Sequence, residues 1–341
     1  MGSWTTVLMA SEGQLIERVA RNLPSQAGAG LRVGIGDDAA VIRPRAGLEW
    51  VFTTDAFLEN VHFLPRMHAP EGVGYKALAR ATSDLAAMGA RPRYFLLSLA
   101  LPPSCTGKWF DRFLKGMSRA ARSFGLVLAG GDTTRNPEAA INLTVIGEVV
   151  PGRAVLRSGA RPGDIICVSG TLGEAELGLR LLQQGLPVRR KWQGLLQKQL
   201  HPQPQLALGA WLARNGKATA MIDTSDGLST DLAHLCEASG VGAKVWATKI
   251  PKVPVPRDLQ KLGLDPLRLA RDGGEDYELL FTVPRRRARH LPRAVRGVPI
   301  TIIGETTRSK RILLMDGAGR TKTLRAQGWD PFRKRGNAKR E

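Results

Sequence analysis

The stretch that decides the fold and the chemistry of this chain reads Gly34-Ile-Gly-Asp-Asp-Ala-Ala-Val-Ile42. Two adjacent carboxylates, Asp37 and Asp38, stand here between glycines and a β-branched apolar run. We expect solvent-poor surroundings for both acids, and an unpaired charge in such surroundings is costly unless it is hydrogen-bonded or holds a cation. The stretch therefore favours a metal site.

The same combination, an acid beside Gly, Ser or Thr at the end of an apolar run, returns at four further places. These are Thr53-Thr54-Asp55, Gly130-Gly131-Asp132, Asp223-Thr-Ser-Asp-Gly227 and Gly273-Gly274-Glu275-Asp276. The recurrence predicts one shared site. Carboxylates with hydroxyls and glycine backbone suit Mg²⁺, which fills its shell with water and phosphate oxygens. Phosphate chemistry follows, because phosphoryl transfer needs cations and donors fixed around an in-line geometry.

The length and composition predict a two-domain α/β (α+β) protein. A chain of 341 residues exceeds one comfortable core, and 43% hydrophobic content with 38 Gly and 21 Pro is typical of a globular, loop-punctuated fold. The Gly-, Pro- and Arg-rich stretch 151–163 marks a boundary. We therefore expect an N-terminal domain at 1–150, a C-terminal domain at 151–332 and a basic tail at 333–341.

Predicted strands alternate with predicted helices in both halves, which favours a sheet layered with helices in each. The clearest helix is predicted over Glu71–Met88, where Lys76, Arg80 and Asp84 share a polar face at spacings of four. A surface ladder of ion pairs is the alternative explanation for Asp84. An Arg-rich helix is predicted over Arg285–Val295. The acids follow predicted strands in both halves, so we expect a site at the domain junction.

The net charge of +20 and the pI near 10.7 would ordinarily indicate a polyanionic partner. The basic residues, however, concentrate at Arg285–Arg289, Arg189–Lys191 and Arg333–Arg335, with few aromatic residues between them to stack on bases. The acids concentrate in the glycine-rich motifs, which favours a metal-nucleotide site over nucleic acid. A non-catalytic basic protein that binds nucleic acid stays the alternative from a different class.

Familiar nucleotide and metal motifs do not account for these acids. The chain lacks a P-loop pattern, an HExxH motif, an EF-hand loop and a GxSxG elbow. In the GxGxx[GA] match at Gly34–Ala39, the two acids would repel a pyrophosphate, which argues against a Rossmann dehydrogenase. We find no signal peptide and no apolar run of about 18 residues, so no membrane association is expected. The three scattered cysteines favour a reducing cytoplasm.

Seven motifs in order carry a family resemblance over about residues 31–332: GIGDDAAV, TTD, SDLAAMGA, AGGDTT, RSGARPGD, DTSDGL and GGEDYEL. This set resembles the thiamine-monophosphate kinases of the aminoimidazole-ribonucleotide-synthetase-like superfamily. The resemblance implies the two-domain fold of that superfamily, conversion of ATP and thiamine monophosphate to ADP and thiamine diphosphate, several Mg²⁺ ions, and a homodimer built through the N-terminal domains. Another ATP-using member, such as a selenophosphate or aminoimidazole-ribonucleotide synthetase, is the alternative enzyme.

The resemblance also implies roles for individual residues. It makes metal ligands of Asp38, Thr53, Thr54, Asp55, Asp84, Asp132, Asp223 and Asp226, of which Asp55, Asp132 and Asp226 are also the catalytic acids. It implies nucleotide contacts at Gly131, Arg157 and Ser225, and thiamine contacts at His62, Glu275 and Trp329. Two alternatives stay open, because His62 could be an ordinary loop histidine and Trp329, where related chains often have Tyr, could be a packing residue. Asp37 could serve only to support Asp38.

Overall fold

The computed structural model of this chain describes residues 11–25, 30–184 and 192–332. The predicted tail and the basic cluster Arg189–Lys191 therefore lie outside the described residues. The described chain forms two compact units. One unit runs to Leu156 and also includes Leu182–Ala218, and the other comprises Arg157–Leu181 and the chain from Thr219 onward.

The regular elements alternate along most of the chain. The helices are α1 (Glu12–Asn22), α2 (Pro70–Ala87), α3 (Lys108–Phe124), α4 (Glu174–Gln183), α5 (Gln193–Leu200), α6 (Leu206–Arg214), α7 (Leu228–Ser239), α8 (Pro266–Asp272) and α9 (Arg285–Ala288). The strands are β1 (Leu31–Val33), β2 (Val41–Ile42), β3 (Glu49–Leu58), β4 (Arg91–Leu101), β5 (Val127–Arg135), β6 (Ala140–Val149), β7 (Ile165–Ser169), β8 (Ala220–Asp223), β9 (Gly242–Trp246), β10 (Leu279–Val283), β11 (Ala294–Val295), β12 (Val298–Thr307), β13 (Ile312–Met315) and β14 (Thr321–Thr323).

The first unit is built on a four-stranded sheet in the order β3-β6-β4-β5. Strands β4 and β5 are parallel, and the other pairs are antiparallel. The amphipathic helix α3 presents Phe110 and Phe113 to a core that also contains Phe95 and Leu97 of β4 and Leu78 of α2. Helices therefore cover one face of this sheet. The short pair β1-β2 and its neighbours pack near one end of the other face.

The second unit has a mixed sheet in the order β14-β13-β9-β12-β7-β10-β8, with β11 paired to β12. Strands β9 and β13 are parallel, and the other pairs are antiparallel. Helix α7 packs Leu232 and Leu235 onto this sheet, against residues such as Ile166 and Val168. Each unit is thus a mixed sheet layered with helices, which confirms the predicted fold class.

The structure corrects the expectation that the acids of both halves follow strands. Strand β3 continues to Leu58, so Asp55 lies inside it, and β5 runs through Asp132 to Arg135. Both strands are paired to a neighbour over most of their length, which propagates them past the acids. Asp223, by contrast, is the last residue of β8, as predicted.

The predicted Arg-rich helix over Arg285–Val295 is wrong in length, because α9 ends at Ala288 and Ala294 begins β11. Arginines four residues apart repel each other on a helix, and Pro292 lacks the N–H that a longer helix needs. Helix α6 packs on α2 of the first unit. Among the described helices, none combines the length and apolar character that crossing a membrane requires.

Candidate active site

In the second unit, two of the predicted motifs and the segment that carries Trp329 meet through main-chain hydrogen bonds. Strand β8 ends at Asp223 and α7 begins at Leu228, so the DTSDGL motif forms the loop between them. The Glu275 N–H donates to the Ser225 carbonyl oxygen at 2.8 Å, and the Trp329 N–H donates to the Asp226 carbonyl oxygen at 2.9 Å. The structure therefore brings together Ser225, Asp226, Glu275 and Trp329.

The local backbone explains why this loop needs its particular residues. Gly227 adopts a φ of +111°, which a residue with a side chain rarely adopts. Glu275 and Tyr277 also have positive φ values, +69° and +51°. Such conformations cost energy in residues other than glycine, and they persist where surrounding hydrogen bonds impose them. One of these two strained residues, Glu275, is also a residue that was predicted to contact the substrate.

Asp231, in the first turn of α7, contacts the same loop and was not among the predicted site residues. Its side chain is 1% exposed, and its carboxylate accepts the Gly227 N–H at 2.9 Å and also the Asp226 N–H. Burial, together with the negative charges of Asp223 and Asp226, raises the pKa of Asp231 well above its usual range. The available signal was an acid in the first turn of a helix that directly follows a glycine loop.

Two other acids of the GGEDYEL motif serve the fold. The Asp276 carboxylate accepts the Gly173 N–H at 2.6 Å and the Ala175 N–H at 3.0 Å, and it thereby caps the start of α4. The Glu278 carboxylate accepts the Ser169 hydroxyl at 2.5 Å. Both side chains are buried, whereas Glu275 is half-buried. The structure therefore distinguishes Glu275, the candidate for substrate contact, from Asp276 and Glu278, which stabilise the fold.

In the first unit, three predicted metal ligands lie together on the helix-covered face of the sheet. The Thr53 hydroxyl donates to the Asp84 carboxylate at 2.5 Å. Arg80, one turn before Asp84 on α2, pairs with Asp55 at 3.2 Å, and its guanidinium lies 5.2 Å from the centre of the Phe57 ring. The side chains of Arg80 and Asp84 thus reach the sheet and do not form the surface ladder considered above. Chemically, a carboxylate, a hydroxyl and a second carboxylate form a hard-cation donor set.

Thr54 and Asp132 project from the opposite face. In the sheet register, Asp132 lies across from Ser98, Ser98 from Asn142, and Asn142 from Ala56. Successive residues of a strand point to opposite faces, so Asp132 shares the face of Ala56 and Thr54, not that of Asp55. The Thr144 hydroxyl meets that of Thr54 at 3.4 Å on this face. The structure therefore divides the predicted Thr53–Asp55 and Asp132 ligand set between two faces.

Asp37 and Asp38 are both exposed, which corrects the expectation of solvent-poor surroundings. Gly36 adopts a positive φ in the turn that carries the two acids, and the apolar run that follows them forms only the short strand β2. The Asp38 N–H donates to the Asp37 carboxylate at 2.9 Å. In this geometry Asp37 orders the turn that carries Asp38.

His62 and Arg157 have contacts that the sequence did not reveal. The Leu58 N–H donates to Nδ1 of His62 at 3.0 Å, so this nitrogen acts as a hydrogen-bond acceptor. The ring stacks on Phe57 with centroids 5.8 Å apart. Arg157 is exposed, and its carbonyl oxygen accepts the Ser239 hydroxyl at 3.0 Å. Its guanidinium is on the surface, where it can reach an anionic group.

Gly131 has a structural reason to be glycine. A Cβ atom at this position would lie 1.9 Å from the Leu97 carbonyl oxygen on the neighbouring strand β4. The adjacent Gly130 has no such restriction, because its added Cβ would meet only the Leu96 side chain at 3.6 Å. Glycine at 131 is therefore required by strand packing, whatever further contact it makes.

The donor chemistry of both units fits Mg²⁺. Within residues 11–25, 30–184 and 192–332, no group of three or more His, Cys, Asp or Glu side chains is already assembled as a metal site. Mg²⁺ does not need one, because it binds through one or two carboxylates and completes its shell with water and phosphate oxygens. The negative charges of Asp223 and Asp226, which help to raise the pKa of Asp231, are the kind of local charge that a divalent cation neutralises.

Comparison with known proteins matches both halves of the chain. The family model for the AIR synthase related protein, N-terminal domain, matches residues 36–149, and that for the C-terminal domain matches residues 161–316. A thiamine-monophosphate kinase of Salmonella typhimurium is 39% identical over 309 residues, which cover 89% of this chain and 92% of that protein.

Solved structures give the same result. Thiamine-monophosphate kinase from Stenotrophomonas maltophilia K279a has a TM-score of 0.76 at 37% identity, covering 88% of this chain and 95% of that one. The complex of AaThiL with AMPPCP and TMP has a TM-score of 0.74 at 32% identity, covering 96% and 99%. The chain therefore belongs to the AIR synthase related proteins and, among them, to the thiamine-monophosphate kinase family.

Proposed function

We propose that this protein transfers the γ-phosphoryl group of ATP to the phosphate of thiamine monophosphate, which yields ADP and thiamine diphosphate. A phosphate oxygen of thiamine monophosphate forms a bond to the γ-phosphorus while the bond to the bridging oxygen of ADP breaks. The observation that carries the proposal is the meeting of the DTSDGL, GGED and GWD segments, fixed by the Glu275–Ser225 and Trp329–Asp226 main-chain bonds. The relatives named above support it.

We assign some of the predicted residues to thiamine monophosphate and others to ATP. Glu275 and Trp329, together with His62, contact the thiamine moiety, while Ser225 contacts the nucleotide. Arg157 forms a charge-assisted hydrogen bond to a phosphate oxygen, which suits its exposed guanidinium. Gly131 lies against the nucleotide, where the lack of a side chain permits close approach of the backbone.

Each unit contains its own candidate ligands for Mg²⁺. They are Asp38, Thr53, Thr54, Asp55, Asp84 and Asp132 in the first, and Asp223 and Asp226 in the second. When bound, Mg²⁺ neutralises the charge that develops on phosphate oxygens. Asp55, Asp132 and Asp226 act as the catalytic acids by fixing the positions of that charge, and Asp231 restrains the backbone that carries Asp226.

The direct test incubates purified protein with MgATP and thiamine monophosphate and identifies the products by mass. Thiamine diphosphate and ADP in equal amounts are the expected products. Removal of Mg²⁺ with EDTA should stop their formation, and added Mg²⁺ should restore it. ADP formation without thiamine diphosphate would instead favour another ATP-using member of the superfamily.

Replacing Trp329 with alanine should raise KM for thiamine monophosphate several-fold, up to about tenfold, and leave KM for ATP unchanged. Thiamine carries a cationic thiazolium and a flat pyrimidine, and an indole face attracts both. The main-chain bond from the Trp329 N–H survives this change, so the segment keeps its attachment. Trp329→Tyr keeps an aromatic face and should have a mild effect. A lower Tm with both KM values unchanged would make Trp329 a packing residue.

The first unit supports the proposal of a homodimer. Phe52 and Leu96 lie on the sheet face that α2 and α3 leave uncovered, and they are 59% and 36% exposed. Large apolar side chains on one face of a sheet are typical of an interaction surface. We expect light scattering to give the mass of a dimer, and Phe52→Glu to give the mass of a monomer. Phe332→Glu, at a residue that is 95% exposed, is the control and should stay dimeric.

A cytoplasmic location completes the proposal. Cys105, Cys167 and Cys236 are free thiols and all are buried, as expected of a protein from a reducing compartment. Burial raises the pKa of Cys167 and of Cys236 to about 12, so both remain protonated and unreactive at neutral pH.

A further inference from the structure

The segment that carries Trp329 is attached to α7 and its preceding loop by three consecutive main-chain N–H groups. The Gln327 N–H donates to the Ser229 hydroxyl at 3.2 Å, and the Gly328 N–H donates to the Thr230 hydroxyl at 3.0 Å. The third bond is that from Trp329 to the Asp226 carbonyl oxygen, at 2.9 Å. In this part of the described chain, residues 324–330 form neither helix nor strand. The position of Trp329 therefore depends on bonds to α7 and its loop.

The two hydroxyls are well placed to hold that position. Ser229 is fully buried, and its own hydroxyl donates to Asp272 at 3.0 Å, which directs an oxygen lone pair at the Gln327 N–H. Asp272 is in turn fixed by Arg271 through bonds of 2.8 and 2.5 Å. The Ser229 hydroxyl thus acts as an acceptor with a defined orientation.

The approach of the two segments is close. A Cβ atom on Gly328 would lie 1.9 Å from the Asp226 carbonyl oxygen and 2.7 Å from the Thr230 hydroxyl oxygen. The segment consequently has little freedom to shift while its bonds are intact. Loss of one acceptor would leave a half-buried N–H unsatisfied, and that change would loosen the segment.

We infer that Ser229 and Thr230 are positioning residues that set the location of Trp329 and thereby the affinity for thiamine monophosphate. This inference rests on the proposed function. The hydroxyl pair Ser229–Thr230 contacts the backbone of residues 327 and 328 and not the substrate, so we expect its effect to be confined to the substrate that Trp329 contacts. Nucleotide affinity does not depend on it.

The test replaces Thr230 with valine, which keeps the shape of the side chain but removes the acceptor. Calorimetric titration with thiamine monophosphate should show a Kd about three- to tenfold higher than that of the wild type, the size expected for one lost hydrogen bond. The Kd for MgATP should stay within about twofold. Thr230→Ser retains the hydroxyl and should restore wild-type affinity, which a purely structural role of the methyl group would not produce.

Amide hydrogen exchange of the substrate-free protein supplies an independent readout. Peptides that contain residues 327–329 should exchange faster in Thr230→Val than in the wild type, and Thr230→Ser should match the wild type. Thr230→Ala serves as a second acceptor-free variant if the valine protein does not fold. Unchanged exchange, or faster exchange with an unchanged Kd for thiamine monophosphate, would overturn the inference alone. Failure of the wild type to bind thiamine monophosphate would overturn the proposed function as well.

Discussion

Replacing Asp55 with asparagine should lower kcat by at least about 100-fold while the protein stays folded. Asparagine keeps the volume and one oxygen of the side chain but removes the negative charge, and a transition state built on charge neutralisation depends on that charge. Asp55 lies beside the Thr53–Asp84 hydrogen bond in the first unit, so it belongs to an assembled group of donors. Steady-state turnover and circular dichroism measure the two parts of this prediction.

The pair that Asp55 makes with Arg80 supplies a sharp control. If Asp55 served only to hold Arg80, then Arg80→Gln would reproduce the loss of activity. We expect Arg80→Gln to be several-fold less harmful to kcat, because it leaves the carboxylate in place. Asp111→Asn removes another ion-paired acid of the same unit and should leave kcat unchanged. Wild-type turnover in Asp55→Asn would refute the assignment of Asp55 to the site.

Asp132→Asn tests whether acids on the two faces of the sheet act on the same reaction or contribute independently. Asp132 is exposed on the face opposite to Asp55. If both acids act on the same reaction, each asparagine variant loses turnover, and their effects combine by less than the sum of the free-energy changes. Full additivity in the double variant would mean that the two faces contribute independently.

The chemistry of the site could be predicted from sequence because its acids recur beside glycine and hydroxyl residues. The partners of each residue could not, and neither could the face that residues of different strands share, since both depend on strand register, which is set by non-local pairing. Thr53 and Thr54 are neighbours in sequence, yet one contacts Asp84 on α2 and the other meets Thr144 of β6. Alternation along a strand places two neighbouring threonines on opposite faces, but it does not reveal which partner each of them meets.

Local signals were reliable where the element is amphipathic and well delimited. Helix α3 spans Lys108–Phe124, a stretch whose strong apolar spacing is visible in the sequence, and it ends where Gly125 adopts the left-handed conformation. Asp276 illustrates the opposite case. Its motif neighbours resemble site residues, yet its carboxylate caps a helix about a hundred residues earlier in the chain, a role that no local pattern reveals.

Replacing Gly131 with alanine should destabilise the first unit by at least about 2 kcal/mol, because this change forces a side chain into the backbone of the next strand. The added Cβ would lie 1.9 Å from the Leu97 carbonyl oxygen, and neither strand can move without breaking the β4–β5 pairing. For a unit of this size, the loss corresponds to a fall in Tm of about 4 °C or more. Differential scanning calorimetry measures it.

Gly130→Ala is the matched control, one residue away in the same strand. Its Cβ would make ordinary contact with the Leu96 side chain at 3.6 Å, and alanine restricts the unfolded chain more than glycine does. We therefore expect an unchanged or slightly higher Tm. If Gly131→Ala instead kept its Tm and raised only KM for ATP, the nucleotide and not the strand would be what excludes a side chain there. A fall in Tm with a matching loss of activity would mean that glycine is required at this position mainly for packing in the sheet.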